Sequence, residues 1–320
     1  MEMSRVLLRS SGAVVALLLA GVSPEAAGAP PLAEVMASTP NRINPLAGEA
    51  NPLPPVETLL GVDQHFWVAV GPPEASLSVS VVEPKGKSQS PRGTILVLHG
   101  VLARSAKMLP VARALAGAGY RAMLVDLRGR GRSTGKYMTF GIQEAQDLSQ
   151  VIDAIERRGL LAGSLGVYGI SYGATTSIHL AAGDRRVRAV VAVEPFGTAR
   201  EEVPHFARVM VPGIGVLVSD RSYQQSLDEA GRIAHFDPDE ADAVKAIQRT
   251  SAPVLIVHGT NDWIVPHQQS ERLHAAALDH SELVSVPYLG HVALWVDPGG
   301  QVVQRACHWF DHWVGDEGKR

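Results

Sequence analysis

The chain of 320 residues predicts an α/β fold with a mostly parallel central sheet, flanking helices and a small helical insertion. From Thr94 onward, short apolar runs alternate with helical stretches: Ile95 to Leu98, Arg121 to Val125, Gly166 to Tyr168, Ala189 to Val193, Val254 to Val257 and Leu283 to Val286. Runs of this kind are strands buried on both faces and joined by right-handed crossovers. Within one of them, Leu165 to Thr176 reads as a strand, a sharp turn at Ser171 and the opening of a helix. Before Thr94, the β-rich runs His65 to Val70 and Leu77 to Val82 are separated by Gly71-Pro72-Pro73, the pattern of an antiparallel hairpin at a sheet edge.

Taken in order, the first 29 residues read as a secretory signal peptide. Arg5 and Arg9 give a positive start, Ala13 to Val22 an apolar core, and Ala27-Gly28-Ala29 an A-x-A cleavage site. The core is short for a membrane span, and an uncleaved N-terminal anchor is the competing reading. Residues 30–60 are rich in proline, asparagine, glycine and alanine without apolar periodicity. They are expected to be a tether or surface-hugging arm with no catalytic role. Residues 61–320 form the α/β domain.

Arg128-Gly129-Arg130-Gly131-Arg132 is the only basic cluster and is expected to be a solvated loop, with Asp126 holding its turn. Between Pro195 and Ala252 the alternation breaks, and residues about 196–250 are expected to form a helical cap over the site. Asp237-Pro238-Asp239-Glu240 has the form of a helix start. The run Phe206 to Val218 is apolar and broken by Pro212 and two glycines. It either buries against the core or lines an acyl pocket, with Val209, Met210, Ile214 and Leu217 as the candidate lining. Cys307 is the single cysteine, so no internal disulfide can form. Its helical spacing with Val303, Ala306, Phe310 and Val314 makes it a small buried residue. His308 and His312 have ligand spacing on the last helix, but no third ligand accompanies them and a helix surface is preferred. No metal and no cofactor are expected.

Hydrophobic content of 46% and charged content of 19% exclude disorder over most of the chain. A formal net charge of -3 leaves no basic surplus for phosphate backbones, so nucleic acid is excluded as a partner.

The chemistry centres on Gly169-Ile170-Ser171-Tyr172-Gly173. In G-x-S-x-G the serine takes a strained φ/ψ, and small residues two before and two after let strand and helix backbones pass closely. The hydroxyl is pushed outward at a helix N-terminus, which favours the negative charge of acyl transfer. Ser171 is therefore the candidate nucleophile. In open sheets, ligands bind beyond the carboxyl ends of the strands, and two later strand ends carry partners. Asp262 follows Val254 to Val257 and is the candidate orienting acid; His291, on the glycine-containing loop after Leu283 to Val286, is the candidate base. Glu194, just past Ala189 to Val193, is the alternative acid. His99 is a packing and loop-orienting residue rather than a base.

The motifs Leu98-His99-Gly100, Asp126 to Ser133, Gly169 to Ala174, Gly259 to Asp262 and Gly290-His291 together resemble the α/β-hydrolase superfamily over about residues 62–314. The resemblance implies the α/β-hydrolase fold, with the order Ser171, Asp262, His291 and with oxyanion N–H groups from Val101 and Tyr172. A serine rather than an aspartate at the elbow implies acyl chemistry. An exported serine esterase is expected, cleaving a small carboxylic ester through an acyl-enzyme, with no stable membrane insertion after signal cleavage. One alternative is an aminopeptidase-like hydrolase in which Glu201 and Glu202, read as a loop pair, bind a substrate ammonium. The other is a non-catalytic binding protein on the same fold, disfavoured because every triad position is filled.

Overall fold

The computed structural model describes residues 32–38, 61–85, 90–210, 217–297 and 299–315. The signal-peptide reading at 1–29, most of the arm at 30–60, and Ile214 lie outside the described residues. Among the described residues, no helix is long and apolar enough to cross a membrane.

Strands β1 (Gln64–Val70), β2 (Ala75–Val82), β3 (Gly93–Leu98), β4 (Arg121–Val125), β5 (Ser164–Ile170), β6 (Val187–Val193), β7 (Val254–Gly259) and β8 (Ser281–Val286) build one sheet. Their order is β1-β2-β4-β3-β5-β6-β7-β8. β1 and β2 pair antiparallel, as do β2 and β4, while all pairs from β4 to β8 are parallel. The hairpin is thus an antiparallel edge on a parallel sheet, and β5 lies near its centre.

The helices are α1 (Leu32–Ala37), α2 (Leu109–Gly117), α3 (Ile142–Arg157), α4 (Tyr172–Gly183), α5 (Ala199–Met210), α6 (Asp220–Ala234), α7 (Ala243–Ile247), α8 (Gln268–Ala275), α9 (His291–Val296) and α10 (Gln301–Trp313). Side chains of a strand alternate between faces. Ile95, Val97, Tyr168 and Val191 pack under Leu115 of α2 and Phe310 of α10, whereas Leu96, Leu98, Val167 and Val190 pack under Val151 of α3, Ile178 of α4 and Leu273 of α8. Both faces are covered, which is why the strands read as unbroken apolar runs; each fully buried aliphatic side chain contributes about 1.5–3 kcal/mol. α5, α6 and α7 lie between β6 and β7. Cys307 is half-buried beside this core, and its thiol is pushed up to about 11, chiefly by burial.

Local expectations are corrected at four places. The arginine loop is not solvated: Arg128 and Arg130 are only 2% and 1% exposed. Arg128 grips both carboxylate oxygens of Asp147 on α3, at 2.7 and 2.6 Å, and a buried charge persists only when paired in this way. Gly131, at φ 56°, permits the inward turn, because a Cβ there would run into the Asp126 carboxylate. Asp126 holds that turn by accepting the N–H groups of Ser105 and Arg132, at 2.7 and 3.0 Å.

Residues 237–240 form a turn instead of a helix start. Asp237 Oδ1 accepts the Asp239 N–H at 2.9 Å, closing an Asx turn. The backbone at Asp242 is extended and bridged to Thr198, so the helix waits until α7, where Asp242 caps Lys245 N–H at 3.0 Å. Glu201 and Glu202 lie on α5, not in a loop. Within the arm, Ala33, Met36 and Ala37 share one face of α1 and pack against Tyr223, Ala230 and Ala234 of α6, a short helical periodicity that the surrounding polar composition hides.

Candidate active site

Ser171 sits between β5 and α4 at φ 53°, ψ -117°, a strained conformation for a residue with a Cβ, costing about 1–3 kcal/mol. Its N–H donates to the Val193 carbonyl at 2.7 Å, and its own carbonyl accepts from Ala174 and Thr175. A Cβ at Gly169 would run into the Gly173 carbonyl, and one at Gly173 would lie 2.7 Å from the His99 carbonyl. The two elbow glycines are therefore required by backbone contact on both sides.

The loops after β7 and β8 bring two further side chains to this serine. His291 Nε2 lies 3.1 Å from Ser171 Oγ, and His291 Nδ1 lies 2.6 Å from Asp262 Oδ2. All three residues are buried. An Nδ1–H donated to Asp262 leaves the Nε2 lone pair facing the serine hydroxyl. Asp262 Oδ1 accepts the Ile264 and Val265 N–H groups, each at 2.9 Å. Burial works against ionisation of Asp262, but hydrogen bonds from His258 and His291, the imidazole charge and the Val265 N–H outweigh it, and its carboxyl lies well below the usual range.

His258 was not singled out by the sequence. It is fully buried at the end of β7, with Nε2 2.9 Å from the Val265 carbonyl and 3.2 Å from Asp262 Oδ2, and with Nδ1 2.6 Å from Ser270 Oγ. Nε2–H donates to the Val265 carbonyl, and Nδ1 pairs with the Ser270 hydroxyl, which can donate or accept. The available signal was a histidine closing an otherwise apolar strand, four residues before Asp262.

Glu194, the alternative acid, is also here: its Oε2 lies 3.2 Å from His291 Nδ1. It is completely buried at φ 54°, and neither carboxyl oxygen has a hydrogen-bond partner among the described residues. Burial first, and the Asp262 charge second, push its carboxyl up to about 10. Among the described residues, Glu194, Asp262 and His291 are the one group of three whose donor atoms could surround a metal ion. The 2.6 Å separation of Nδ1 and Oδ2 is that of a charge-assisted hydrogen bond, so the imidazole proton occupies the position an ion would take. His308 and His312 line a groove with Trp309 and Trp313 on α10, outside that group.

Val101 follows β3, and Tyr172 is the first residue of α4, where a backbone N–H has no acceptor within the helix. Arg130 ties the two together. Its Nε donates to the Val101 carbonyl at 3.0 Å and its guanidinium lies 4.3 Å over the Tyr172 ring. The Tyr172 hydroxyl donates to Glu144 Oε1 at 2.7 Å. His99 donates from Nδ1 to the Gly100 carbonyl at 2.9 Å and accepts the Leu127 N–H on Nε2 at 3.1 Å, the loop-orienting role expected of it. Burial pushes its imidazole down to about 4.

On α5, Glu201 forms a two-pronged ion pair with Arg272. Glu202 is buried, accepts from Gln269 Nε2 at 2.8 Å, and has its carboxyl pushed up to about 8, mainly by burial. Val209 and Met210 on the same helix are half-buried, whereas Leu217 is 81% exposed.

A family model for X-Pro dipeptidyl-peptidase (S15 family) matches residues 71–211, from the hairpin through the elbow to α5. The structure is similar to that of esterase Pf2001 of Pyrococcus furiosus, with a TM-score of 0.65 at 20% identity over 82% of this chain and 97% of that one. It is also similar to the alpha/beta hydrolase GrgF from Penicillium sp. sh18, with a TM-score of 0.60 at 17% identity over 78% of this chain and 99% of that one. The chain has the fold of the α/β-hydrolase superfamily. In sequence, this α/β hydrolase is 26% identical over 220 residues to YfhR of Escherichia coli (strain K12), covering 68% of this chain and 69% of YfhR. It is 30% identical over 202 residues to Rv2307c of Mycobacterium tuberculosis (strain ATCC 25618 / H37Rv), covering 62% of each.

Proposed function

We propose that this α/β hydrolase is an exported serine esterase acting on carboxylic esters with an apolar acyl part. The observation that carries the proposal is the unbroken hydrogen-bonded chain Ser171–His291–Asp262, with separations of 3.1 and 2.6 Å, at a strained elbow. Ser171 Oγ attacks the ester carbonyl carbon while His291 Nε2 takes its proton, and Asp262 stabilises the resulting imidazolium. The N–H groups of Val101 and Tyr172 hold the tetrahedral oxyanion. As that intermediate collapses, His291 returns the proton to the departing alkoxide, leaving the acyl group on Ser171. Water, deprotonated by His291, then attacks the acyl carbon, and as the bond to Ser171 Oγ breaks His291 returns the proton to that oxygen, freeing the acid and restoring the serine.

The apolar acyl group is proposed on the apolar character of Val209 and Met210, half-buried on α5, which are assigned here to the acyl pocket. Each methylene buried there would add about 0.8 kcal/mol, close to fourfold in affinity. The test is turnover of aryl esters of graded acyl length beside aminoacyl anilides. The expected result is a preference that rises with acyl length to an optimum, and faster turnover of the esters.

The match to the S15 peptidase model favours one second reading, an aminopeptidase-like hydrolase. Because Glu201 is engaged by Arg272, an ammonium site on α5 would rest on Glu202. Anilides turned over faster than every ester, with the preference for a free amine lost in Glu202→Gln, would establish it over the esterase. Export is proposed from the leader pattern in the first 29 residues. Bacterial expression should yield a product beginning near Pro30, and a membrane-bound product retaining Met1 would show an anchor instead.

A further inference from the structure

Asp262 and Glu194 approach the same imidazole but are solvated by the protein in opposite ways. Asp262 is surrounded by donors: the Ile264 and Val265 N–H groups on Oδ1, and His291 Nδ1 at 2.6 Å with His258 Nε2 at 3.2 Å on Oδ2. Glu194 has none, although His291 Nδ1 is only 3.2 Å away, because that N–H is aimed at Asp262. An ionised carboxylate buried with no donor costs several kcal/mol, and two carboxylates in contact retain a shared proton. The proton belongs on the member that has nothing to accept. A carboxylic acid at Glu194 has the complementary need, an acceptor for its O–H, and the Asp262 carboxylate supplies it. The left-handed backbone of Glu194 at the end of β6 is a further cost that the fold bears to place this side chain there.

We propose that Glu194 is a positioning residue: a neutral carboxylic acid that donates a hydrogen bond to Asp262, so that the two acids together present a single negative charge to His291. The proposal rests on the serine-esterase reading for its kinetic consequences but not for its protonation state. Burial agrees with it, since the Glu194 carboxyl is pushed up to about 10. The titratable groups facing Glu194 are Asp262, His291 and Tyr168 of β5, with His258 and Glu202 next to Asp262. Asp262, Glu202 and Tyr168 bring no positive charge that would draw out its proton.

The test compares wild type, Glu194→Gln and Glu194→Ala by the pH dependence of kcat/KM and by infrared spectroscopy of the carboxyl stretch. Glutamine keeps a donor facing Asp262 and alanine does not, so kcat/KM should fall at least about tenfold further in Glu194→Ala than in Glu194→Gln, the scale of one hydrogen bond to a charged group. The acidic limb, which reports the imidazole, should stay in place in Glu194→Gln. An ionised Glu194 would instead raise the imidazole pKa, and its loss would move that limb down by about 1–3 pH units, which would overturn the proposal. At pH 7, wild type should show a protonated-carboxyl band that Glu194→Gln lacks, and absence of the band from wild type would also overturn it. If no variant turns over any ester, the esterase reading fails, and the infrared comparison alone decides the state of Glu194.

Discussion

Arg130 lays its guanidinium 4.3 Å over the ring of Tyr172, and through Nε it fixes the carbonyl of Val101 at 3.0 Å. One side chain thus sets the spacing between the two residues whose backbone N–H groups are proposed to hold the oxyanion. Lysine cannot stack as a plane while also donating sideways. Arg130→Lys should therefore lower kcat about 10- to 100-fold with KM changed only a few-fold, and steady-state kinetics on a protein of unaltered circular dichroism will check this. A large rise in KM at constant kcat would assign Arg130 to substrate binding.

Ser171→Ala should abolish turnover, since removing the nucleophile of a triad costs about 10⁶ in kcat. A fluorophosphonate probe should label wild type and leave the variant unlabelled. Labelling that persists in the variant would place the nucleophile elsewhere without altering the fold.

Asp262→Ala should lower kcat by about 10⁴, as loss of the orienting acid does in other triads, and Glu194→Ala should cost much less. The difference follows from their partners, because Asp262 holds the imidazole N–H at 2.6 Å while Glu194 accepts nothing. The reverse ranking would transfer the acid to the end of β6.

Stability should be greatest between about pH 4.5 and 6.5, where the shifts of two buried glutamates and two buried histidines offset each other, and should fall above that range. Glu194 and Glu202 are raised from 4.5 to about 10 and about 8, mainly by burial. The unfolded chain therefore gives up protons that the folded one keeps, and stability declines as pH rises above about 4.5, by at most about 1.4 kcal/mol per unit for each group. His99 and His179 are lowered from 6.5 to about 4, also mainly by burial. Their contribution is complete above 6.5 and is lost as pH falls through that window. Urea midpoints measured from pH 4 to 9 should show the plateau and the alkaline fall, and Glu202→Gln should flatten that fall. An alkaline slope unchanged in that variant would show Glu202 already ionised in the folded protein.

The sheet was legible because β3 to β8 are buried on both faces, so each strand announces itself as a short apolar run without help from distant residues. Ser171, Asp262 and His291 could be nominated for a similar reason: each directly follows such a run, and the elbow glycines lie within two residues of the serine. Burial of the charged groups around them was not legible. Arg128 is neutralised by Asp147, which is 19 residues away, and Glu202 takes a hydrogen bond from Gln269, which is 67 residues away. No local composition distinguishes such groups from a solvated loop or helix face. Proline and acids at 237–240 misled for a related reason: their helix-start pattern is overruled by the bridge between Thr198 and Asp242.

The strand order has a consequence for how this protein fails when warmed. β8 has one neighbour, β7, and its side chains are only partly covered, so its opening costs less than that of the interior strands. The loop that carries His291 leaves from β8, whereas Ser171 hangs from β5 in the middle of the sheet. Fraying at that margin would withdraw His291, the proposed base, while Ser171, its elbow and most of the core stay folded. Heating should therefore silence the site locally, with activity lost below the temperature at which circular dichroism shows the whole sheet melting.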